Sequence, residues 1–449
     1  MVIAGTVADS GRDLPNDGTS SRPRPRVRWS LVAISSIAVL VCTGGPSYFA
    51  DAHVIHGADW VTLYPFAAVA ISGVVLLVSA LNNLPWRQWP LPVFPIAAFC
   101  ALAVLSAWWT VSPAVTPRAA LLGAGIAAFG CWFGWKLDIE EQVSSVAIAT
   151  SVAVAASVVM VYAKPAISHS PSDLWFRGYN EEWIGIFGNR NSLSAVAALG
   201  ILALVGWFAL RPGWMRGLVA TPAAVIEFIT LRRTGGDTSL IALALAGLMG
   251  VALFGVWAMR RGRVPGAVVA GVAVGALVAG WFIVFSHFNW FAEHVGRSPT
   301  LSSRRLIWAD VRGVISERPL LGHGYYAFWD RVDLTAATYA RIGSGYGSAH
   351  NSMLEVFLML GVVGAVVYIG IVLLTVTGVF RSVWVRRSVS TWWWAVVLTF
   401  LIAENLTESF VLWHSYIWML FLAAALTPFA QFGSNGAGEA PSSEKATSV

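Results

Sequence analysis

The strongest constraint on this chain is a series of apolar segments, each long enough to cross a lipid bilayer and almost free of charge. They run at 29–46, 60–81, 91–109, 118–135, 144–163, 193–210, 216–231, 238–258, 264–286, 352–380, 389–406 and 409–430. A helix rises about 1.5 Å per residue and needs about 20 apolar residues to cross the hydrocarbon. In lipid every backbone N–H and C=O must be satisfied within the spanning structure, which leaves helices or closed barrels. Runs such as Ala153 to Val161 lack the alternation of a barrel strand. The pattern predicts an all-α polytopic membrane protein with about twelve transmembrane helices. Composition agrees, since 57% of the 449 residues are hydrophobic and only 12% are charged.

Charge placement sets the orientation. With the N-terminus inside, the short inner loops carry Arg87, Lys136, Arg211, Arg216, Arg260, Arg261, Arg263, Arg381, Arg386 and Arg387, and the short outer loops only Arg118, Arg232 and Arg233. That asymmetry obeys the positive-inside rule and predicts two cytoplasmic termini. Residues 1–28 are rich in Gly, Ser, Pro and Asp and end in Arg22-Pro-Arg24-Pro-Arg26-Val-Arg28, a basic tail expected to be disordered, as is 431–449. The first apolar run follows this polar tail without a small-residue cleavage site, so no cleaved signal peptide is expected. Cys42, Cys100 and Cys131 lie inside apolar runs without metal-ligand spacing and read as small core residues, supporting neither disulfides nor zinc. The net charge of +6 is spread over loops and forms no stripe, which argues against nucleic acid.

The expected organisation is nine helices over 29–286, an extracytoplasmic loop over 287–351 and three helices over 352–430. A second outer loop covers about 164–192. The longer loop carries Arg297, Arg304, Arg305, Arg312, Arg318, Arg331 and Arg341 against Glu293, Asp310, Glu317, Asp330 and Asp333. Arginines on the outer side need a reason, and an anionic substrate supplies one. Thr300-Leu-Ser302-Ser303 is a helix start, and Arg304 to Ser316 is amphipathic, with Leu306, Ile307, Val311, Val314 and Ile315 as its apolar stripe. Arg305 and Arg312 fall two turns apart on another face, and Trp308 lies one turn beyond Arg304. Such a helix either rests on the bilayer with its arginines among lipid phosphates or lines a site. Pro319 stops it, and Gly322-His323-Gly324 forms a turn whose backbone can approach a ligand closely.

Three helix starts on the outer side share one pattern. At Gly343-Ser-Gly-Tyr-Gly-Ser-Ala-His350-Asn351-Ser-Met-Leu-Glu355 a polar loop hands over to an apolar helix, which Asn351 or Ser352 can cap. Glu355 lies one turn inside on the face of Asn351, where a carboxylate needs a partner or a watery cavity. Gly188-Asn189-Arg190-Asn191-Ser192 also runs straight into a membrane helix, and a helix N-terminus beside Arg190 is an anion site in the making. Arg232-Arg233-Thr-Gly235-Gly236-Asp237 precedes a third. Together they suit a diphosphate-linked lipid, whose phosphates Arg binds best.

These motifs, in this order, resemble the O-antigen ligase family, which includes related polysaccharide polymerases and exopolysaccharide proteins. The resemblance runs from about Gly185 to Phe421. It rests on Gly188-Asn189-Arg190-Asn191-Ser192-Leu193, on Arg304 to Trp308 followed by Pro319-Leu-Leu-Gly322-His323-Gly324, and on His350-Asn351-Ser352-Met353-Leu354-Glu355. Gly361 to Gly364 and Glu404-Asn405 to Glu408-Ser409 fit downstream. The family often sets a Ser-Arg pair directly before the eighth span, whereas Arg232 and Arg233 here stand several residues earlier.

The resemblance implies a metal-independent inverting glycosyltransferase without a cofactor. It would move a glycan from a polyprenyl-diphosphate carrier to a hydroxyl of a glycan, lipid or cell-wall acceptor at the outer face of a bacterial plasma membrane. The catalytic residues would be His350, Glu355 and Asn351, with Glu355 or Asn351 orienting the imidazole. Arg304, Arg305, Arg190 and Arg312 would bind the diphosphate, and Asn191, Gly322, His323, Gly324 and Trp308 the substrate. A repeat-unit polymerase of the same family has the same motifs. From other classes, a lipid or glycan transporter would need charges near the bilayer midplane, and a shape-and-division glycosyltransferase would need an Asp signature that is not found here.

Overall fold

The structure is a computed structural model that describes residues 27–45, 59–169, 182–260, 300–331, 333–336, 347–386, 389–409 and 415–436, with scattered positions between 268 and 279. The apolar runs become helices: α1 (Trp29–Cys42), α2 (Asp59–Asn82), α3 (Val93–Leu105), α4 (Thr116–Lys136), α5 (Ile139–Ala163), α6 (Arg190–Leu210), α7 (Trp214–Thr234) and α8 (Asp237–Arg260). After them come α9 (Thr300–Glu317), α10 (Ser352–Arg386), α11 (Val389–Thr407) and α12 (Tyr416–Gly436). Among the described residues seven helices are long and apolar enough to cross a membrane, and four shorter apolar helices accompany them. The protein is therefore a polytopic all-α membrane protein. Most of the expected ninth span at 264–286, residues 1–26 and 437–449 of the tails, and the stretch 343–346 lie outside the described residues, while 431–436 of the C-terminal tail continue α12.

Local chemistry explains the helix ends. Asp138 and Glu141 form a capping box at the start of α5, with the Asp138 N–H donating to Glu141 Oε2 at 3.0 Å. Asn189 caps α6 by accepting from the Asn191 N–H at 2.7 Å. Gly235, at φ 63°, ends α7 in the left-handed conformation that favours glycine.

The core forms around α12, whose residues Ile417 to Leu426 are all at most 2% exposed. A helix apolar on every side belongs inside a bundle. It packs against α4 and α10. The α4 contact is made by Gly130 and Gly134, one turn apart, where a Cβ on Gly130 would meet the Met419 carbonyl oxygen at 2.5 Å. Small residues at this spacing let backbones approach, which replaces hydrophobic drive within lipid.

Two features set up the site. One end of the bundle gathers the ion pairs of Arg28 with Glu141 (2.7 Å) and of Arg211 and Arg216 with Glu140 (both 2.6 Å). The other end gathers residues 189–191, 318–331, 349–351 and 405–409. Here α10 is not one continuous helix: its helical geometry breaks at Gly361 (φ 62°, ψ −159°). The break frees backbone groups that the preceding loop satisfies. Val362 N–H donates to Pro319 O at 2.8 Å and Val363 N–H to Leu320 O at 3.2 Å, while His323 and Gly324 N–H donate to Leu358 O (2.9 Å) and Met359 O (3.0 Å). Irregular backbone at membrane depth survives only with such partners.

Candidate active site

Residues 349–355 form a tight corner. His350 sits at φ 48°, a conformation that costs a side-chain-bearing residue of order 1 kcal/mol or more. The corner is held from both sides. Glu355, 2% exposed, turns its carboxylate back to accept the Ala349 N–H at 2.6 Å and the Trp329 indole N–H at 2.8 Å. Trp308 of α9 donates its indole N–H to Ala349 O at 2.9 Å. Asn351 is the cap: its Oδ1 accepts the Leu354 N–H at 3.0 Å, while its Nδ2 donates to Leu406 O and its N–H to Ser409 Oγ, both at 2.9 Å. Ser352 Oγ adds a 2.7 Å bond to Asn405 Oδ1. The start of α10 is thus stapled to the end of α11.

That staple delivers Glu408. Its carboxylate is the point on which four elements converge. His350 Nδ1 lies 2.7 Å from Oε2, Asn191 Nδ2 at the start of α6 donates to Oε1 at 2.8 Å, and the Arg304 guanidinium of α9 pairs with Oε1. The Glu408 side chain is only 4% exposed, against 13% for Arg304 and 18% for His350. Burial pushes the Glu408 carboxyl up, but Arg304, His350 and Arg190 outweigh it and hold it below the usual carboxylate range. An ionised carboxylate facing Nδ1 selects the tautomer with the proton on Nδ1, leaving the ring's acceptor lone pair on Nε2. The expectation that Glu355 or Asn351 orients the imidazole thus meets a different arrangement, in which both fix the backbone around His350 and Glu408 holds the ring.

The other expected residues divide. Arg190 pairs with Glu182 and is close enough for its charge to act on Glu408. Arg312 is exposed, away from the buried stripe of α9, and the Arg305 side chain lies outside the described residues. Ile307 and Val311 of that stripe pack on Phe328, Ala349 and Leu358, whereas Leu306 is 52% exposed. The face of α9 therefore covers protein. His323 is 3% exposed, with its ring 5.8 Å from Phe328 and Nδ1 3.3 Å from Leu358 O. Burial, the leading cause, together with Arg318 lowers its pKa against the raising effect of the Leu358 bond and Glu317. Gly322 (φ 66°) and Gly324 (φ 101°) press on the α10 backbone and on Thr110. These three residues brace α10. Arg232 and Arg233 form the last turn of α7, and the Arg233 guanidinium lies 5.9 Å from the Trp183 ring.

Residues 222–369 match the family described as O-antigen ligase. The similarity covers about a third of the chain. The matched segment holds Arg304, His350 and Glu355 but neither Asn191 nor Glu408. The chain is also similar to the exopolysaccharide production protein ExoQ of Rhizobium meliloti (strain 1021), with 21% identity over 280 residues that cover 60% of this chain. It spans 61% of the length of that curated relative.

Proposed function

We propose that the protein is a membrane-embedded glycosyltransferase that moves a glycan from a polyprenyl-diphosphate carrier to an acceptor hydroxyl. The observation that carries this reading is the convergence of Arg304 and His350 on Glu408, at the end of the bundle opposite the arginine-rich loops. Those loops face the cytoplasm under the positive-inside rule, which directs the site and its substrates to the outer face of the plasma membrane. It also leaves both termini cytoplasmic.

In this reading His350 Nε2 takes the proton of the acceptor hydroxyl while Glu408 holds Nδ1–H, the arrangement that keeps an imidazole in one tautomer and orientation. The acceptor oxygen attacks the anomeric carbon from the face opposite the diphosphate. The new C–O bond forms as the bond to the diphosphate oxygen breaks, which inverts the centre. The leaving polyprenyl diphosphate gains one negative charge, and Arg304, with Arg190 and the N-terminus of α6, offsets it through preorganised donors. Arg305, Arg312 and Trp308 would contact more distant parts of the donor. Charge stabilisation by arginine makes the reaction metal-independent and without a cofactor. Polymerisation of repeat units is a second reading, compatible with a relative named for exopolysaccharide production, with the same residues in the same roles.

Full-length protein carrying His350→Ala or Arg304→Ala, assayed for glycan transfer in membranes, is expected to lose activity by at least about 100-fold at normal expression and insertion. Wild-type transfer rates in both variants would refute the proposal. In a deletion strain, long lipid-linked chains would identify a ligase and single lipid-linked units a polymerase.

A further inference from the structure

Arg304, the first cation that the reading above gives to the diphosphate, already has an anionic partner. Arg304, Asn191 and His350 all point to one carboxylate, that of Glu408. A guanidinium, an amide N–H and an imidazole N–H are the set with which proteins grip a phosphate oxygen, and a carboxylate presents the same pair of charged acceptors. Glu408 is anchored through its neighbours, because Leu406, Asn405 and Ser409 are bonded to Asn351 and Ser352. Its carboxylate can swing, but its backbone cannot withdraw. Arg304 reaches in from α9 on a long flexible side chain and can change partner without moving that helix.

We propose that Glu408 is a positioning residue that holds the phosphate seat before the donor binds and then surrenders Arg304 to the donor's diphosphate while keeping His350. This rests on the diphosphate reading above and adds a coupling to it. In the structure the Glu408 charge is shared between a guanidinium and an imidazole. Once Arg304 turns to the diphosphate, that charge falls on His350 alone. The Nδ1–H bond then strengthens and Nε2 becomes a better base when the sugar to be attacked is in place. A partly buried site makes such an exchange effective, because charges there are weakly screened.

The test uses the full-length protein in nanodiscs, with inorganic pyrophosphate as ligand, titrated against wild type, Glu408→Gln and Glu408→Asp, alongside a transfer assay. Glu408→Gln removes the competing charge. Glu408→Asp keeps the charge but shortens its reach to Arg304. Exchange predicts that both variants bind pyrophosphate more tightly, by about tenfold for Glu408→Gln, while kcat for transfer falls in both. A merely structural role for Glu408 would weaken both properties together. Binding at or below the wild-type level in both variants overturns the proposal. Tighter binding in Glu408→Gln with no change in Glu408→Asp also overturns it, because simple charge repulsion then accounts for the gain. If wild type binds no pyrophosphate, the diphosphate reading fails and the exchange falls with it; binding without the predicted gains leaves that reading intact and removes only the exchange.

Discussion

Gly322 and Gly361 interlock two segments backbone against backbone. A Cβ on Gly322 would lie 2.5 Å from the Met359 carbonyl carbon, and one on Gly361 would lie 2.6 Å from the Leu321 nitrogen. Both glycines have positive φ, at 66° and 62°. The crossing holds the first half of α10, with His350 at its head, against the loop that follows α9.

Gly322→Ala and Gly361→Ala should therefore each destabilise the protein by more than about 1–2 kcal/mol, the cost of the left-handed conformation before any clash is counted. Gly313, in α9 with nothing within 4 Å of its Cβ position, is the control. Gly313→Ala should be neutral or stabilising by up to about 1 kcal/mol. Thermal unfolding in detergent measures all three. Equal midpoints would remove the interlock as a source of stability.

Removing the Glu355 carboxylate strands the N–H of Ala349 and the indole N–H of Trp329. Each buried group left without an acceptor costs about 1–3 kcal/mol, so Glu355→Ala should lower both the melting temperature and the transfer rate. Glu355→Gln keeps an acceptor oxygen for one of the two donors and should fall between. Trp329→Phe should lower stability by less than Glu355→Ala, since one donor is lost and the Ala349 bond remains.

Two groups outside the spans each lower stability as pH falls, in two separate windows. Glu408 has a folded pKa below its unfolded value of about 4.3, so its contribution is complete above that pH and disappears as pH falls through the folded value. Glu408→Gln should flatten the stability curve in this acid window. His323 has a folded pKa below its unfolded value of about 6.5, so its contribution is complete above about pH 6.5 and declines as the pH drops below it. His323→Gln should remove that decline near pH 6 and leave the acid window unchanged. Unfolding midpoints measured across both windows check each sign.

Transfer should continue in excess EDTA, because arginine side chains take the charge of the leaving diphosphate in the proposed mechanism. Loss of activity on chelation, restored by magnesium or manganese, would reassign that role from Arg304 to a metal ion.

The sequence showed the spans because lipid imposes one rule on every segment, and the observed helices start and stop within a few residues of the apolar runs. The exception is α12, which starts at Tyr416 and not near 409. Glu408 and Ser409 are drawn away from it by their bonds to His350 and Asn351. Glu408 itself could not be read as the hub, since its partners lie 58, 104 and 217 residues away. One signal was available: a carboxylate closing an apolar span on the same side as the arginine-bearing loop 287–351. The break at Gly361 was equally hidden, because glycines are common in membrane helices and Gly361 to Gly364 continues an apolar run. The packing of His323 was hidden for a related reason. A Gly-His-Gly turn suits a ligand, and here the partner brought so close is the backbone of another helix.

The interrupted α10 also implies an order of assembly. Its half-helices cannot satisfy their own backbone at Gly361, so in bare lipid the segment would carry several unmet hydrogen-bonding groups. The loop that meets them, residues 319–324, leaves the ribosome before α10 does. The chain thus builds the brace first, and the helix that carries His350 inserts against a template already present.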